Sequence, residues 1–218
     1  MEIKVVENVL KLNDAVAQNN RARLAAAGVT CLNLISSPGS GKTTLLERTA
    51  ERLAGRLRIG VVEGDLFTSR DAERIEAHGV PVVQINTRGT CHLEAHMVAQ
   101  SLDQLDLPRL DLIFIENVGN LVCPSEYNLG EDHKVVVLSV SEGHDKPAKY
   151  PAVFRRATAL VVNKLDLLPY TDFDLSEAQA DARRLNPELR IFNLSARTGE
   201  GLESWCDWVV GLAKKREP

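Results

Sequence analysis

A lysine set among glycines and hydroxyls is the first place where this chain could do chemistry. The run Ser36-Ser37-Pro38-Gly39-Ser40-Gly41-Lys42-Thr43-Thr44 follows the apolar segment Cys31–Ile35 and precedes a helical pattern. That context is what a phosphate-binding loop requires. Gly39 and Gly41 carry no Cβ to block phosphate oxygens from backbone N–H groups, and the helix N-terminus adds partial positive charge. Gly39, Ser40, Gly41, Lys42, Thr43 and Thr44 are therefore the candidate phosphate contacts. Lys42 can reach the β/γ-phosphates and the Thr43 hydroxyl can ligate Mg²⁺. Ser36 stands where the pattern G-x-x-x-x-G-K-[ST] has glycine, the one visible departure.

Acids that would complete such a site should also come from strand ends. Leu112-Ile113-Phe114-Ile115 delivers Glu116 to a strand tip, as a candidate for Mg²⁺ or its bound water, with Gly119 following for a backbone N–H near the γ-phosphate. Glu63-Gly64-Asp65-Leu66-Phe67-Thr68-Ser69-Arg70-Asp71 again follows a strand-like run. Asp65 and Asp71 can bind Mg²⁺ through water or orient an attacking water. Asp71 equally suits the first turn of a helix, where the dipole favours acids. The candidate catalytic set is thus Lys42, Asp65, Asp71 and Glu116.

Asn163-Lys164-Leu165-Asp166 resembles the N-K-x-D element of GTPases, and Ser195-Ala196-Arg197 resembles their S-A-K element. The Asp166 carboxylate would accept from guanine N1–H and from the exocyclic amine, a donor pair that adenine lacks. The Lys164 stem would cover the base plane, Asn163 would tie the loop together, and a backbone N–H of Ser195 to Arg197 would meet the guanine O6. GTP and GDP are the expected ligands, with an ATPase or small-molecule kinase as the rival.

The elements that must position these residues alternate along the chain. Strand-like runs lie at Cys31–Ile35, Ile59–Val62, Val80–Ile85, Leu110–Ile115, Lys134–Val140, Ala159–Val162 and Ile191–Leu194. Helical patterns fall between most of them, at Lys42–Leu53, Ser69–His78, His92–Leu102, Ser176–Leu185 and Leu202–Lys214. Near-continuous Val, Ile and Leu runs mark strands covered on both faces, and the alternation predicts a mostly parallel, doubly wound α/β sheet in one domain. Ligands of such sheets bind outside the carboxyl ends of the strands, where every motif above falls. Residues 1–28 read as a helical appendage, with Val6, Val9, Leu10, Leu12 and Val16 as its apolar face, before a nucleotide-binding domain over 29–218.

With 218 residues, 44% hydrophobic and 26% charged, the chain has the composition of an ordinary globular protein. A net charge of −4 provides no footprint for nucleic acid or an anionic membrane. No apolar run approaches the roughly 20 residues of a membrane span, and Met1-Glu2-Ile3-Lys4 opens no signal-peptide core. A cytoplasmic protein is expected. Cys31, Cys91, Cys123 and Cys206 form no disulfide framework; Cys31 and Cys206 read as packing residues.

Cys91 and His92 differ, because they lie side by side at the predicted helix start, and His96 falls one turn later on the same face. Cys123 sits in a loop shortly after Glu116. Two loops at one sheet edge can bring Cys91, His92 and Cys123 together as three soft or borderline ligands for Zn²⁺ or Ni²⁺. Water, His96 or a second subunit would complete the set. On spacing alone the signal is modest, since isolated Cys and His are usually core or surface residues.

Glu63-Gly64-Asp65, Cys91-His92-Leu93, Glu116 to Pro124 and Asn128-Leu129-Gly130 together resemble the HypB family of hydrogenase nickel-incorporation GTPases, over nearly the whole chain. The resemblance implies a GTP-hydrolysing metallochaperone that matures [NiFe] hydrogenase, acting on its large subunit. It further implies a GTP-dependent homodimer with interfacial Zn²⁺ or Ni²⁺ and a HypA-type zinc metallochaperone as partner. The cysteine-rich or histidine-rich N-terminal stretch of some members is absent from this sequence. Glu142 to Pro151 also matches the family, so Lys146 or Lys149 would cross a dimer interface to the nucleotide, or the segment is a solvated loop. A urease-type metallochaperone GTPase is the nearest alternative, although that type is expected to carry Cys-Pro-His. A metal-storage or zinc protein with a structural nucleotide is the other.

Overall fold

Along each central strand, successive apolar side chains turn to opposite faces, and each face must be covered by helices. The computed structural model describes residues 5–65, 70–87 and 89–214. Its strands are β1 (Thr30–Ser36), β2 (Ile59–Asp65), β3 (Val82–Asn86), β4 (Leu112–Glu116), β5 (His133–Ser139), β6 (Ala159–Asn163) and β7 (Arg190–Asn193). They form one seven-stranded sheet in the order β3-β2-β4-β1-β5-β6-β7, and every pairing is parallel. The expected doubly wound sheet is present, wholly rather than mostly parallel. β1 lies between β4 and β5; the chain builds to one side of it first and then to the other. The crevice outside its carboxyl end is where a sheet of this topology binds ligands.

On one face Leu32, Leu34, Val61, Phe114, Val135 and Val161 pack under α2 (Lys42–Leu53) and α9 (Leu202–Lys214), with Trp205 fully buried. The other face is divided. Val62, Ile113 and Ile115 lie under α1 (Val5–Ala26) and α4 (Ala95–Leu102), while Val136, Leu138, Leu160 and Val162 lie under α7 (Pro151–Arg156) and α8 (Leu175–Leu185). Each fully buried Val, Leu or Phe contributes about 1.5–3 kcal/mol of transfer energy. Short α3 (Arg70–Glu76), α5 (Cys123–Glu126) and α6 (Lys146–Lys149) follow β2, β4 and β5 at the ligand-binding edge. Cys31 and Cys206 are buried as expected, and burial lifts the Cys206 thiol to about 11.

Two local expectations are corrected. The helical first segment is present, but Leu12 is 70% exposed and does not belong to a buried apolar face. Its covered stripe is Asn13, Ala17, Asn20 and Leu24. The Asn13 amide donates to the Asn128 carbonyl at 2.8 Å, and the Asn20 amide donates to the Ala95 and Leu129 carbonyls at 2.8 and 3.0 Å. The helix therefore satisfies backbone of neighbouring loops, which an apolar stripe could not do. Val6 and Val9 have side chains outside the described set. The helix expected from His92 begins instead at Ala95. The Ala95 N–H is taken by Asn13 Oδ1 at 2.8 Å and the Leu93 N–H by Asn117 Oδ1 at 3.2 Å. Those tertiary bonds hold residues 91–94 outside the helix.

Candidate functional site

At the carboxyl ends of β1, β2 and β4 a cavity of about 470 Å³ opens, lined by Gly39, Lys42, Thr43, Asp65, Asp71, Glu116 and Gly119 among others. Its shape depends on two glycines. Gly41 has φ +92°, and a Cβ there would lie 2.6 Å from Asn163 Nδ2; a Cβ on Gly119 would lie 2.9–3.0 Å from Pro38. The loops after β1, β4 and β6 can close on one another only because these positions carry no side chain.

Lys42 is 7% exposed, and its Nζ donates to Ser36 Oγ at 2.8 Å. The residue that departs from the glycine of the motif thus supplies the acceptor for the lysine. Burial lowers the Lys42 pKa, and Glu116, Asp71 and Glu63 pull it back toward its charged form. Thr43 Oγ1 donates to Glu116 Oε1 at 2.9 Å, while Glu116 Oε2 is buried without a hydrogen bond. Burial pushes the Glu116 carboxyl up to about 7 against the opposing pull of Lys42 and Thr43. A hydroxyl and a buried carboxylate oxygen side by side, beside a lysine, fit Mg²⁺ with a phosphate. Asp65 ends β2; Asp71 lies in the first turn of α3 and pairs with Arg74 at 3.1 Å.

The sequence reading missed two cleft residues. Arg74 reaches Glu47 at 2.7 Å and Asp71, and lines the same cavity. Glu63 is 2% exposed, stands opposite Glu116 in the β2–β4 register, and leaves Oε2 buried and unbonded. Its only sequence signal is a carboxylate directly after the apolar run Ile59–Val62. Burial first, then Glu116, Asp65 and Asp71, raise its pKa from 4.5 to about 8.

That shift has a consequence for stability. Between 4.5 and about 8 the unfolded chain ionises Glu63 while the folded, nucleotide-free chain keeps the proton. Stability from this group is therefore present below that window and lost as pH rises through it. Glu63→Gln is expected to flatten the pH dependence of the melting temperature in chelator. At pH 8 the variant should exceed the parent by on the order of 2 kcal/mol, or about 4–8 °C. Identical profiles for the two proteins would show that Glu63 ionises normally.

The base-side loop is held by Asn163. Its amide donates to the Ser40 carbonyl at 2.9 Å, and its Oδ1 accepts from the Lys164 and Ala196 N–H groups at 2.8 and 3.0 Å. Lys164 sits at φ +64° and its Nζ donates to the Gly39 carbonyl at 2.6 Å. Ser195 Oγ donates to Asp166 Oδ1 at 2.6 Å, which fixes the carboxylate, and Arg197 is exposed. The phosphate loop and the base-side loop are thus one bonded unit. After β5, Glu142 Oε1 accepts from Ser40 Oγ at 2.6 Å. Lys146 pairs with Glu142 at 3.6 Å and Lys149 with Asp145 at 2.5 Å.

On the β4 side of this cleft Cys91, His92 and Cys123 converge, with one ligand atom of each within 4.8 Å of the others. The two sulfurs are 3.0 Å apart, with Cys91 donating to Cys123, and Cys91 Sγ lies 3.9 Å from His92 Nδ1. The adjoining Cys91 thiol, and then burial, raise the Cys123 thiol pKa. The imidazole stacks on Tyr127 at 4.0 Å, and burial lowers its pKa toward the neutral form that binds metals. The donor set fits a borderline or soft cation with one position open. His96 does not join it: it faces outward on α4 and pairs with Glu94 at 3.3 Å. His92 precedes that helix, so the two imidazoles share no helix face.

Comparison with known proteins identifies the family. A family model described as the CobW/HypB/UreG nucleotide-binding domain matches residues 30–193. The hydrogenase maturation factor HypB of Azotobacter vinelandii is 53% identical over 207 residues, 95% of this chain and 68% of that protein. The crystal structure of HypB from Helicobacter pylori in complex with nickel superposes with TM-score 0.89 at 42% identity, covering 93% of this chain and 95% of that one. HypB from Archaeoglobus fulgidus follows at TM-score 0.88 and 39% identity, over 94% of this chain and 100% of that one. The chain accordingly belongs to the HypB hydrogenase maturation factors, a branch of the CobW/HypB/UreG P-loop GTPases.

Proposed function

We propose that the protein hydrolyses GTP to switch the environment of a nickel or zinc ion on its way to [NiFe] hydrogenase. The observation that carries this reading is the short loop after β4. It runs from Glu116, the last residue of β4, at the phosphate cleft to Cys123, the first residue of α5, at the thiol cluster, so one short segment of backbone joins the two sites. Lys42 and the N–H groups of the phosphate loop hold the β- and γ-phosphates, Gly119 approaches the γ-phosphate, and Asp166 reads guanine. Thr43 and Glu116, with Asp65, would hold Mg²⁺, which would supply neutralisation of phosphate charge. Asp65 or Asp71 orients the attacking water.

Cys91, His92 and Cys123 supply three ligands for the metal cargo, and ligands from a second copy close the set in a GTP-dependent dimer. Cys91 is exposed and Val122, beside Cys123, is 57% exposed, which suits an interface at this edge. The nickel-bound HypB of Helicobacter pylori supports nickel as cargo. A HypA-type zinc protein and the hydrogenase large subunit are the partners of this reading.

Size exclusion with inline mass and metal analysis, comparing GDP with a non-hydrolysable GTP analogue, tests it. The analogue should shift the protein to a dimer with altered metal content. Cys91→Ala and Cys123→Ala should each weaken Zn²⁺ or Ni²⁺ binding by about 10²-fold or more while GTP binding persists. Metal binding indifferent to nucleotide would indicate storage and sink the switch.

A further inference from the structure

Leu93 joins the two sites more directly than either set of ligands does. It follows His92, is fully buried, and is held from two sides. Its side chain rests on Gly64, where an added Cβ would come within 2.8–2.9 Å of three Leu93 atoms. Gly64 lies between Glu63 and Asp65 at the cleft end of β2. The Leu93 backbone N–H donates to Asn117 Oδ1 at 3.2 Å, and Asn117 directly follows Glu116.

Asn117 is 1% exposed and has no freedom to turn. Oδ1 also accepts the Val118 N–H at 3.0 Å, and Nδ2 donates to Asn33 Oδ1 at 3.2 Å. Asn33 is in turn bonded to Glu131, which Lys134 holds at 2.6 Å. Further along the same loop the Asn120 amide donates to the Cys91 carbonyl at 3.3 Å. A buried polar chain of this kind keeps one arrangement because any other leaves a donor or acceptor unpaired. Movement of the β2 end or of the loop after β4 must therefore move Leu93, and with it Cys91 and His92 relative to Cys123.

We propose that Leu93, seated on Gly64 and hydrogen-bonded to Asn117, transmits the nucleotide state of the phosphate cleft to the thiol–imidazole cluster, with Asn117 as the positioning residue. The inference rests on the switch reading above, since it names the route by which GTP and GDP would differ at the metal. It requires an energetic coupling between the sites, and such couplings change affinity about 5- to 150-fold.

The test measures the Zn²⁺ dissociation constant by competition with a chromophoric chelator, with GDP and with a non-hydrolysable GTP analogue. The full-length parent, Asn117→Ala, Leu93→Ala and the milder Leu93→Val are compared, with melting temperatures confirming that each is folded. The parent should show at least about a fivefold difference between nucleotides. Leu93→Ala and Asn117→Ala should bring the ratio to within about twofold of unity, while each still binds Zn²⁺ through intact ligands. Leu93→Val, which keeps a branched side chain over Gly64, should retain an intermediate ratio and provides the reading if the larger truncation unfolds. A parent ratio near unity overturns the switch itself and this route with it. A parent ratio that survives undiminished in folded Asn117→Ala and Leu93→Val overturns the route alone.

Discussion

Lys42→Met is expected to lower GTP turnover by about 10³-fold, on the scale of losing a preorganised charge at developing phosphate negative charge. The ammonium is 7% exposed and already aimed at the cleft through its bond to Ser36 Oγ. No reorganisation is needed beyond exchanging one acceptor for a phosphate oxygen. The methionine side chain retains most of the packing volume and removes only the charge. The nucleotide-free fold should tolerate this, because the neighbouring carboxyls Glu63 and Glu116 are themselves pushed up to about 8 and about 7 by burial. They can stay neutral once the lysine is gone. Single-turnover hydrolysis beside a melting curve checks both halves. Turnover within about tenfold of the parent, in a folded variant, would remove Lys42 from the catalytic set.

Asp166→Asn is expected to cost guanine nucleotides about 10²- to 10³-fold in affinity and to move preference toward xanthine nucleotides. A carboxylate offers two acceptors to the N1–H and exocyclic amine of guanine. An amide offers one acceptor and one donor, so one pair becomes donor against donor. Xanthine carries a carbonyl where guanine has the amine and matches the amide again. Geometry should be preserved, since the bond from Ser195 Oγ to Asp166 Oδ1 at 2.6 Å can be made equally to the amide oxygen. Competition binding of GDP, xanthosine diphosphate and ADP reads the outcome. Undiminished guanine preference would place base recognition elsewhere.

Much of this molecule is legible from local pattern. The phosphate loop is contiguous, so its glycines, Lys42 and Thr43 declare themselves by spacing and by the strand before them. The parallel sheet is legible because strands covered on both faces are largely apolar, as in the run Ala159 to Val162 of β6, which is buried along its whole length. Cys91, His92 and Cys123 could be brought together on paper because both loops leave strands at the same sheet edge.

What the chain order concealed are pairings across long separations. Glu63 reads as an oddity within a strand until the order β2-β4-β1 places it against Glu116. The start of α4 depends on Asn13, far back in α1, and the buried stripe of α1 depends on carbonyls at Ala95, Asn128 and Leu129. Periodicity reports which side of an element is covered, but not by what, and it reads an asparagine that serves distant backbone as a surface residue. Sequence alone determined the phosphate loop, the guanine-type loop and the sheet that carries them. Only the tertiary structure decided that Leu93 is clamped between Gly64 and Asn117, because that contact exists only after strand pairing sets β2 beside β4 and brings both to the metal-ligand turn.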